Sequence, residues 1–236
     1  MLSPLILIFF IIIIFYSIIF HEIAHGYAAY RNGDNTALNA GRLTLNPLSH
    51  IDFIGSILIP IISYSLFNLP FGWAKPVPYN PNNIKHRKYA ELEVASAGII
   101  VNIFLAFLAV GLFYGLRYLG ILSGEITSIL YMITSINLFL ALFNLLPFPP
   151  ADGFSIFSEL FLHLKNFFFK FKNIFRSKKE TNVIYVDNTS SRNGMFHVKH
   201  LFSNPIAMVI MIFVAVNVFQ ILVPYILSFI NYLYSF

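Results

Sequence analysis

Cysteine is absent from the 236 residues, which excludes a small secreted fold held by disulfides. Charge is nearly as scarce. Asp, Glu, Lys and Arg make up 11% of the chain, less than half the roughly 25% of a soluble domain. No Lys or Arg occurs before Arg31, and no charged residue follows position 200. The chain contains no glycine-rich phosphate loop, no dinucleotide fingerprint and no Ser-His-Asp order. What it has in abundance is apolar: 58% of residues are hydrophobic and 17% aromatic, with a mean hydropathy of +0.74. A water-soluble globule of this size could not hide that surface, and disorder or a coiled coil is excluded with it. An integral membrane protein remains.

The net charge of +5 and pI near 9.3 invite a nucleic-acid reading, but the distribution argues for a bilayer. The basic residues gather in three hydrophilic segments, Arg31 to Arg42, Lys75 to Lys88 and Lys165 to Lys199. Blocks of Lys and Arg between apolar stretches are what the positive-inside rule produces. Leu5–Phe20 is uninterrupted by charge, and helix can continue through Tyr30. It lacks the basic start and small-residue cleavage site of a signal peptide. Val94–Leu119 and Ile126–Leu146 are each long enough to span, and Ile206–Phe236 is a final stretch bent or divided at Pro224. Phe53–Leu69 is apolar but holds Gly55 and Pro60, with Pro70 beyond. A broken or re-entrant passage there keeps all three basic segments on the cytoplasmic side, with the N-terminus outside. A full crossing would leave one loop against the rule. The expectation is an all-α polytopic membrane protein of about four spans plus that broken segment. It divides into a core over 1–164, a basic cytoplasmic loop over 165–203 and a C-terminal span over 204–236. Within the loop, Asn166–Phe175 suits a helix on the membrane surface, and Val183–Val186 a short strand.

His21-Glu22-Ile23-Ala24-His25 closes the first apolar stretch. On a helix, residues i and i+4 share a face, so both imidazoles can reach one zinc ion. Glu22 stands beside them, placed to take a proton from zinc-bound water. As a bare string the pattern is common; running on from a hydrocarbon-spanning helix, it is costly and points to function. A catalytic zinc takes three protein ligands and keeps an open position. Of ten acidic residues, Asp152 alone closes an apolar span, in Asn144-Leu-Leu-Pro147-Phe-Pro-Pro-Ala-Asp152-Gly153. Pro147, Pro149 and Pro150 break the helix and Gly153 permits the turn. The carboxylate there is a third ligand or a cap on the next helix.

The pairing of H-E-x-x-H on one membrane helix with N-x-x-P-x-x-x-x-D-G at the end of another resembles the site-2 proteases, intramembrane zinc metalloproteases. The resemblance covers roughly positions 15 to 155. It extends to Gly41-Arg-Leu-Thr-Leu-Asn-Pro-Leu-Ser-His-Ile-Asp52, Gly72-Trp-Ala-Lys-Pro-Val-Pro78 and Gly98-x-x-x-Asn102. It implies one Zn²⁺ per chain on His21, His25 and Asp152, with Glu22 as acid and base. Many relatives carry proline after the third motif's glycine, shaping a helix start, where this chain has Ile99. No room exists for an inserted PDZ domain between Gly26 and Asp152, so the resemblance is to the short, stand-alone branch, and a sensor domain is not expected.

The reaction implied is hydrolysis of a peptide bond in or near a transmembrane segment of another protein, at a prokaryotic inner membrane and toward the cytoplasm. Asn102 and Asn144 could hold an extended substrate backbone or pack helices. Gly72–Pro78 could pair with substrate as an added strand or form a rigid turn, and Trp73 could anchor at the interface. His50 fits a loop hydrogen bond or a place near the site, while His86, His163, His197 and His200 fall in basic loops. Two other classes compete. A metal transporter would use the same His-His-Asp set for transit, but the outer halves of the spans offer almost no polar path. An inactive homologue would bind membrane proteins uncut, but all four residues are intact.

Overall fold

The computed structural model describes residues 4–67, 74–84, 89–148, 151–175 and 205–235. Trp73, His86, Pro149, Pro150, His197, His200 and the strand expected at Val183–Val186 lie outside them. Seven α-helices are described: α1 (Pro4–Arg31), α2 (Thr36–Asn39), α3 (Ile59–Phe67), α4 (Ala90–Tyr118), α5 (Gly124–Leu145), α6 (Asp152–Phe175) and α7 (Pro205–Leu233). Among the described residues there is no strand. The chain is an all-α polytopic membrane protein. α1, α4 and α5 are each long and apolar enough to cross a bilayer. α7 is one continuous helix with Pro224 inside it.

Helix α4 is central, packed on α1, α5 and α6, while α1 also meets α5 and α7 meets α5. Its pattern is inside out. The buried stripe is mostly small or polar, running through Ala90, Val94, Gly98, Asn102, Ala106, Ala109 and Phe113 at helical spacing. Ile100, Phe104, Phe107, Leu108 and Leu112 face outward. Lipid tails are as apolar as leucine, so large side chains gain little by turning inward, and helices associate through small residues that let backbones close up.

The broken apolar segment is a six-residue π-helical turn, Phe53–Leu58, followed by the nine residues of α3. Together these rise roughly 22 Å, short of the ~30 Å hydrocarbon core. Asp52 caps the turn, its carboxylate accepting from the backbone N–H groups of Ile54 and Gly55 at 2.9 and 2.8 Å. Helix α6 begins at Asp152 and runs to Phe175, so His163 sits on a helix. That corrects the sequence expectation of a basic loop there: an amphipathic pattern carries the helix past the charge boundary. Ile99 lies well inside α4, which starts upstream at Ala90.

Between α1 and α4 the chain crosses back over the site as an extended strip, Ala74–Asn80. Two sets of bonds hold it. On one side buried Arg42 donates from Nη2 to the Lys75 carbonyl at 2.7 Å, and the Lys75 N–H donates to the His50 carbonyl at 2.9 Å. His50 is wholly buried and its Nε2–H donates to the Thr44 carbonyl at 2.8 Å. On the other side Asp34, also wholly buried, accepts from the Asn80 N–H at 2.6 Å and from Asn83 Nδ2 at 2.9 Å. Asp34 accepts from the Thr36 N–H and hydroxyl as well.

Burial alone would raise the Asp34 pKa, but the donors from Thr36, Asn80 and Asn83 outweigh it and hold the group below its ordinary 3.8. Its stabilising contribution is therefore present above pH 3.8 and is lost as pH falls through the lower, folded-state value. Asp34→Asn turns an amide N–H against a backbone donor and is expected to cost about 1–3 kcal/mol. Thermal unfolding in detergent at neutral pH should show a lower midpoint for the variant, with the gap closing on acidification below that pKa; an unchanged midpoint would remove Asp34 from the scaffold.

Candidate metal centre

The apolar run from Ile6 carries α1 across the bilayer and on through the histidine motif without a break. Helical spacing sets the two imidazoles edge to face, with ring centroids 4.7 Å apart. Asp152 arrives from elsewhere. Pro147 forces the residue before it out of helical geometry, and Leu146 is extended at φ −65°, ψ 138°. Two tight turns follow, Phe148 N–H to the Leu146 carbonyl and Ala151 N–H to the Phe148 carbonyl, each 2.9 Å. Asp152 is then the first residue of α6. A Cβ on Gly153 would collide with the Leu145 carbonyl, so only glycine lets α6 turn back so tightly on α5.

The three side chains converge. His21 Nε2 and His25 Nε2 are 3.1 Å apart, and each is 3.1 Å from Asp152 Oδ2. His21 is buried; His25 and Asp152 are half-buried. The far nitrogens settle the tautomer. His25 Nδ1 lies 2.7 Å from the Val94 carbonyl, and His21 Nδ1 lies 2.6 Å from the Asn102 amide oxygen. Both neighbours accept, so both Nδ1 atoms carry a proton. Each Nε2 then faces the other ring and a carboxylate oxygen, and in the neutral tautomer it offers its lone pair there.

Two imidazole Nε2 atoms and a carboxylate oxygen at mutual contact distance become the donors of a cation site once both rings are neutral. Ligands about 2.0–2.2 Å from a tetrahedral zinc stand roughly 3.3–3.5 Å apart, close to the observed triangle. Two imidazoles and one carboxylate form a zinc-type donor set, with each far nitrogen bonded as metal-ligating histidines usually are. The residues fit the ion.

Glu22 points to the strip. Its Oε2 accepts from the Val77 N–H at 2.8 Å. Val77 is flanked by Pro76 and Pro78, neither of which has an N–H, so it is the single donor in the run Pro76–Pro78. The strip can press this close because α1 has Gly26, where a Cβ would meet Val77 Cγ1 at 2.6 Å. Asn102 is wholly buried, with its oxygen on His21 and its Nδ2 donating to Asn137 Oδ1 at 2.9 Å. Asn144 donates to the Leu140 carbonyl of its own helix at 3.0 Å. Val77, Val94 and Asn137 were not singled out from the sequence. The first two act through backbone atoms, which leave no trace in composition. Asn137, an amide inside an apolar span, was a visible signal.

Gly98 decides how close α4 comes to the site. A Cβ there would stand 2.5 Å from His21 Cε1 and from His25 Nε2. Gly98→Ala should therefore cost most of the bound zinc, read as metal per chain in the purified protein. Gly111→Ala on the same helix, with nothing within 4 Å of its added methyl, should keep it. Equal metal contents would contradict the tight approach.

The comparisons with known proteins agree with this chemistry. A family model described as peptidase family M50 matches residues 120–177. Two curated relatives are each named as a putative zinc metalloprotease. YwhC of Bacillus subtilis (strain 168) is 40% identical over 155 residues, which are 64% of this chain and 68% of that protein. Rip2 of Mycolicibacterium smegmatis (strain ATCC 700084 / mc(2)155) is 30% identical over 151 residues, 58% of this chain and 51% of the relative. No solved structure matches. A membrane-embedded zinc-type donor set, joined to a relative of which the chain covers more than two thirds, places this protein in peptidase family M50, the site-2 protease family of zinc metallopeptidases.

Proposed function

We propose that this protein hydrolyses a peptide bond in or beside a transmembrane segment of another membrane protein, with zinc held by His21, His25 and Asp152. The observation that carries the proposal is the triangle of two Nε2 atoms and one carboxylate oxygen, 3.1 Å on each side, inside a bundle of bilayer-length helices. Bound there, zinc would supply Lewis-acid chemistry, polarising a carbonyl and lowering the pKa of water toward about 7.

The chain's own residues do the rest. Glu22 follows His21 directly, so its carboxylate starts from the turn of α1 that bears the first ligand. The Val77 N–H holds Oε2, which leaves Oε1 to accept a proton from the attacking water and return it to the leaving amine. The Val94 carbonyl and the Asn102 amide oxygen hold the Nδ1 protons of both imidazoles and so aim both Nε2 atoms at the metal. A substrate helix hides its carbonyls in internal hydrogen bonds, so the segment cut must unwind before it reaches Glu22.

The distribution of Lys and Arg supports an orientation with the N-terminus outside and the basic segments in the cytoplasm. His21, at the C-terminal part of α1, then lies toward the cytoplasmic face of a cell membrane. A transporter is the weaker reading because the buried polar groups beyond the site, Ser17, Asn102 and Asn137, bond to one another instead of lining a wet path.

Glu22→Gln keeps the shape and removes the base. Purified in detergent, it should hold as much zinc as wild type while cleavage of a transmembrane reporter falls about 10²–10⁴-fold. Cleavage at the wild-type rate would dismiss Glu22 as the base. Zinc bound without cleavage by either protein would overturn the protease reading, and metal flux into liposomes would then favour a transporter.

A further inference from the structure

Behind His21 a file of polar side chains crosses the apolar interior. Ser17 of α1, Asn102 of α4 and Asn137 of α5 are each at most 4% exposed. His21 Nδ1–H donates to Asn102 Oδ1 at 2.6 Å, Asn102 Nδ2 donates to Asn137 Oδ1 at 2.9 Å, and Asn137 Nδ2 donates to Ser17 Oγ at 3.0 Å. Asn137 Nδ2 also donates to the Ile133 carbonyl at 2.9 Å.

The file runs one way. An amide packed between helices can usually turn over, exchanging its oxygen and nitrogen, if its partner turns as well. Here neither can. The two hydrogens of Asn137 Nδ2 have two acceptors, the Ile133 carbonyl and Ser17 Oγ, and a backbone carbonyl cannot become a donor. Asn137 therefore presents Oδ1 to Asn102. That oxygen takes the Asn102 amide hydrogen and leaves Oδ1 as the only atom Asn102 can turn toward His21. An oxygen there accepts, so the ring proton stays on Nδ1 and the lone pair stays on Nε2. Each donated bond also makes the next acceptor stronger.

We propose that Asn137 and Ser17 are positioning residues of the metal centre. Acting through Asn102, they hold His21 in the tautomer and ring orientation that turn its Nε2 toward Asp152. The inference rests on His21 being a zinc ligand, as proposed above. It assigns a task to three helices at once: α5 carries Asn137 and leads into the turn before Asp152, so the helix that positions His21 also ends where the chain turns to deliver Asp152 on α6.

The test is zinc affinity, measured in detergent by competition with a chromophoric chelator, together with the visible ligand-field spectrum of the Co²⁺-substituted protein. Asn137→Leu should weaken zinc binding roughly tenfold or more and shift the Co²⁺ bands, while the milder Ser17→Ala should lose about two- to threefold. Thr134→Val is the control. It breaks a buried bond, Thr134 Oγ1 to Tyr234 Oη at 2.8 Å, one turn away on α5 and unconnected to His21. It should leave affinity and spectrum as they are. Adding Asn137→Leu to Asn102→Leu should cost nothing more, since the file is already cut. The proposal is overturned if Asn137→Leu and Ser17→Ala both match wild type while His21→Ala loses its zinc. It is overturned equally if Thr134→Val weakens zinc as much as Asn137→Leu, because the effect would then be one of packing. His21→Ala binding zinc as wild type does would instead refute the ligand assignment, and the positioning role with it.

Discussion

Two imidazole nitrogens and a carboxylate oxygen facing one another inside an apolar bundle form the constraint on which the rest of the structure depends. His21 Nε2, His25 Nε2 and Asp152 Oδ2 stand 3.1 Å apart. In water such groups would drift apart, each to its own hydration shell. Within an apolar bundle they are held together by a shared proton or a bound cation, because an unpaired polar group there is costly. The fold is arranged to deliver the three groups to one point. The Val94 carbonyl and the Asn102 oxygen exclude the wrong tautomers, and the proline break after α5 brings the carboxylate in from another helix.

That convergence needs an uncommon closeness between backbones. Gly98 lets α4 rest against the imidazoles, and Gly26 lets the Ala74–Asn80 strip rest against α1. A Cβ at Gly98 would meet the two imidazoles at 2.5 Å, and one at Gly26 would meet the Val77 and Leu43 side chains at 2.6 and 2.8 Å. The strip is itself braced from both sides, by Arg42 and His50 and by Asp34, so the Val77 N–H meets the Glu22 carboxylate without a search. Polar groups are few in this interior, and Ser17, Asn102 and Asn137 are joined in one file that ends on His21, as expected where an unpaired one is costly.

Much of the site was legible in the sequence because its signals are local. Two histidines at i and i+4 on an apolar run share a face whatever surrounds them, and Asp152 follows a proline break that can be read letter by letter. The three bilayer-length helices α1, α4 and α5 were legible for the same reason, since length and hydropathy set them. Where the expectation failed, at His163, a charge boundary was taken for a structural one; the amphipathic helix α6 crosses it. Asn137 and Ser17 were visible as polar residues in apolar helices, but a single amide in a span is as often simple packing.

The sequence by itself determined the solvent, the helices and the donor groups on offer to a metal. Composition sets the first, hydrophobic length the second and the residue types of His21, His25 and Asp152 the third. Only the tertiary structure decided which nitrogen of each histidine keeps its proton, which backbone N–H holds Glu22 and which amides stand behind His21. Those choices depend on atoms 35 to 120 residues apart in the chain yet within about 3 Å in space. No pattern of residues along a single helix carries that information, because the partner is chosen by packing and not by spacing.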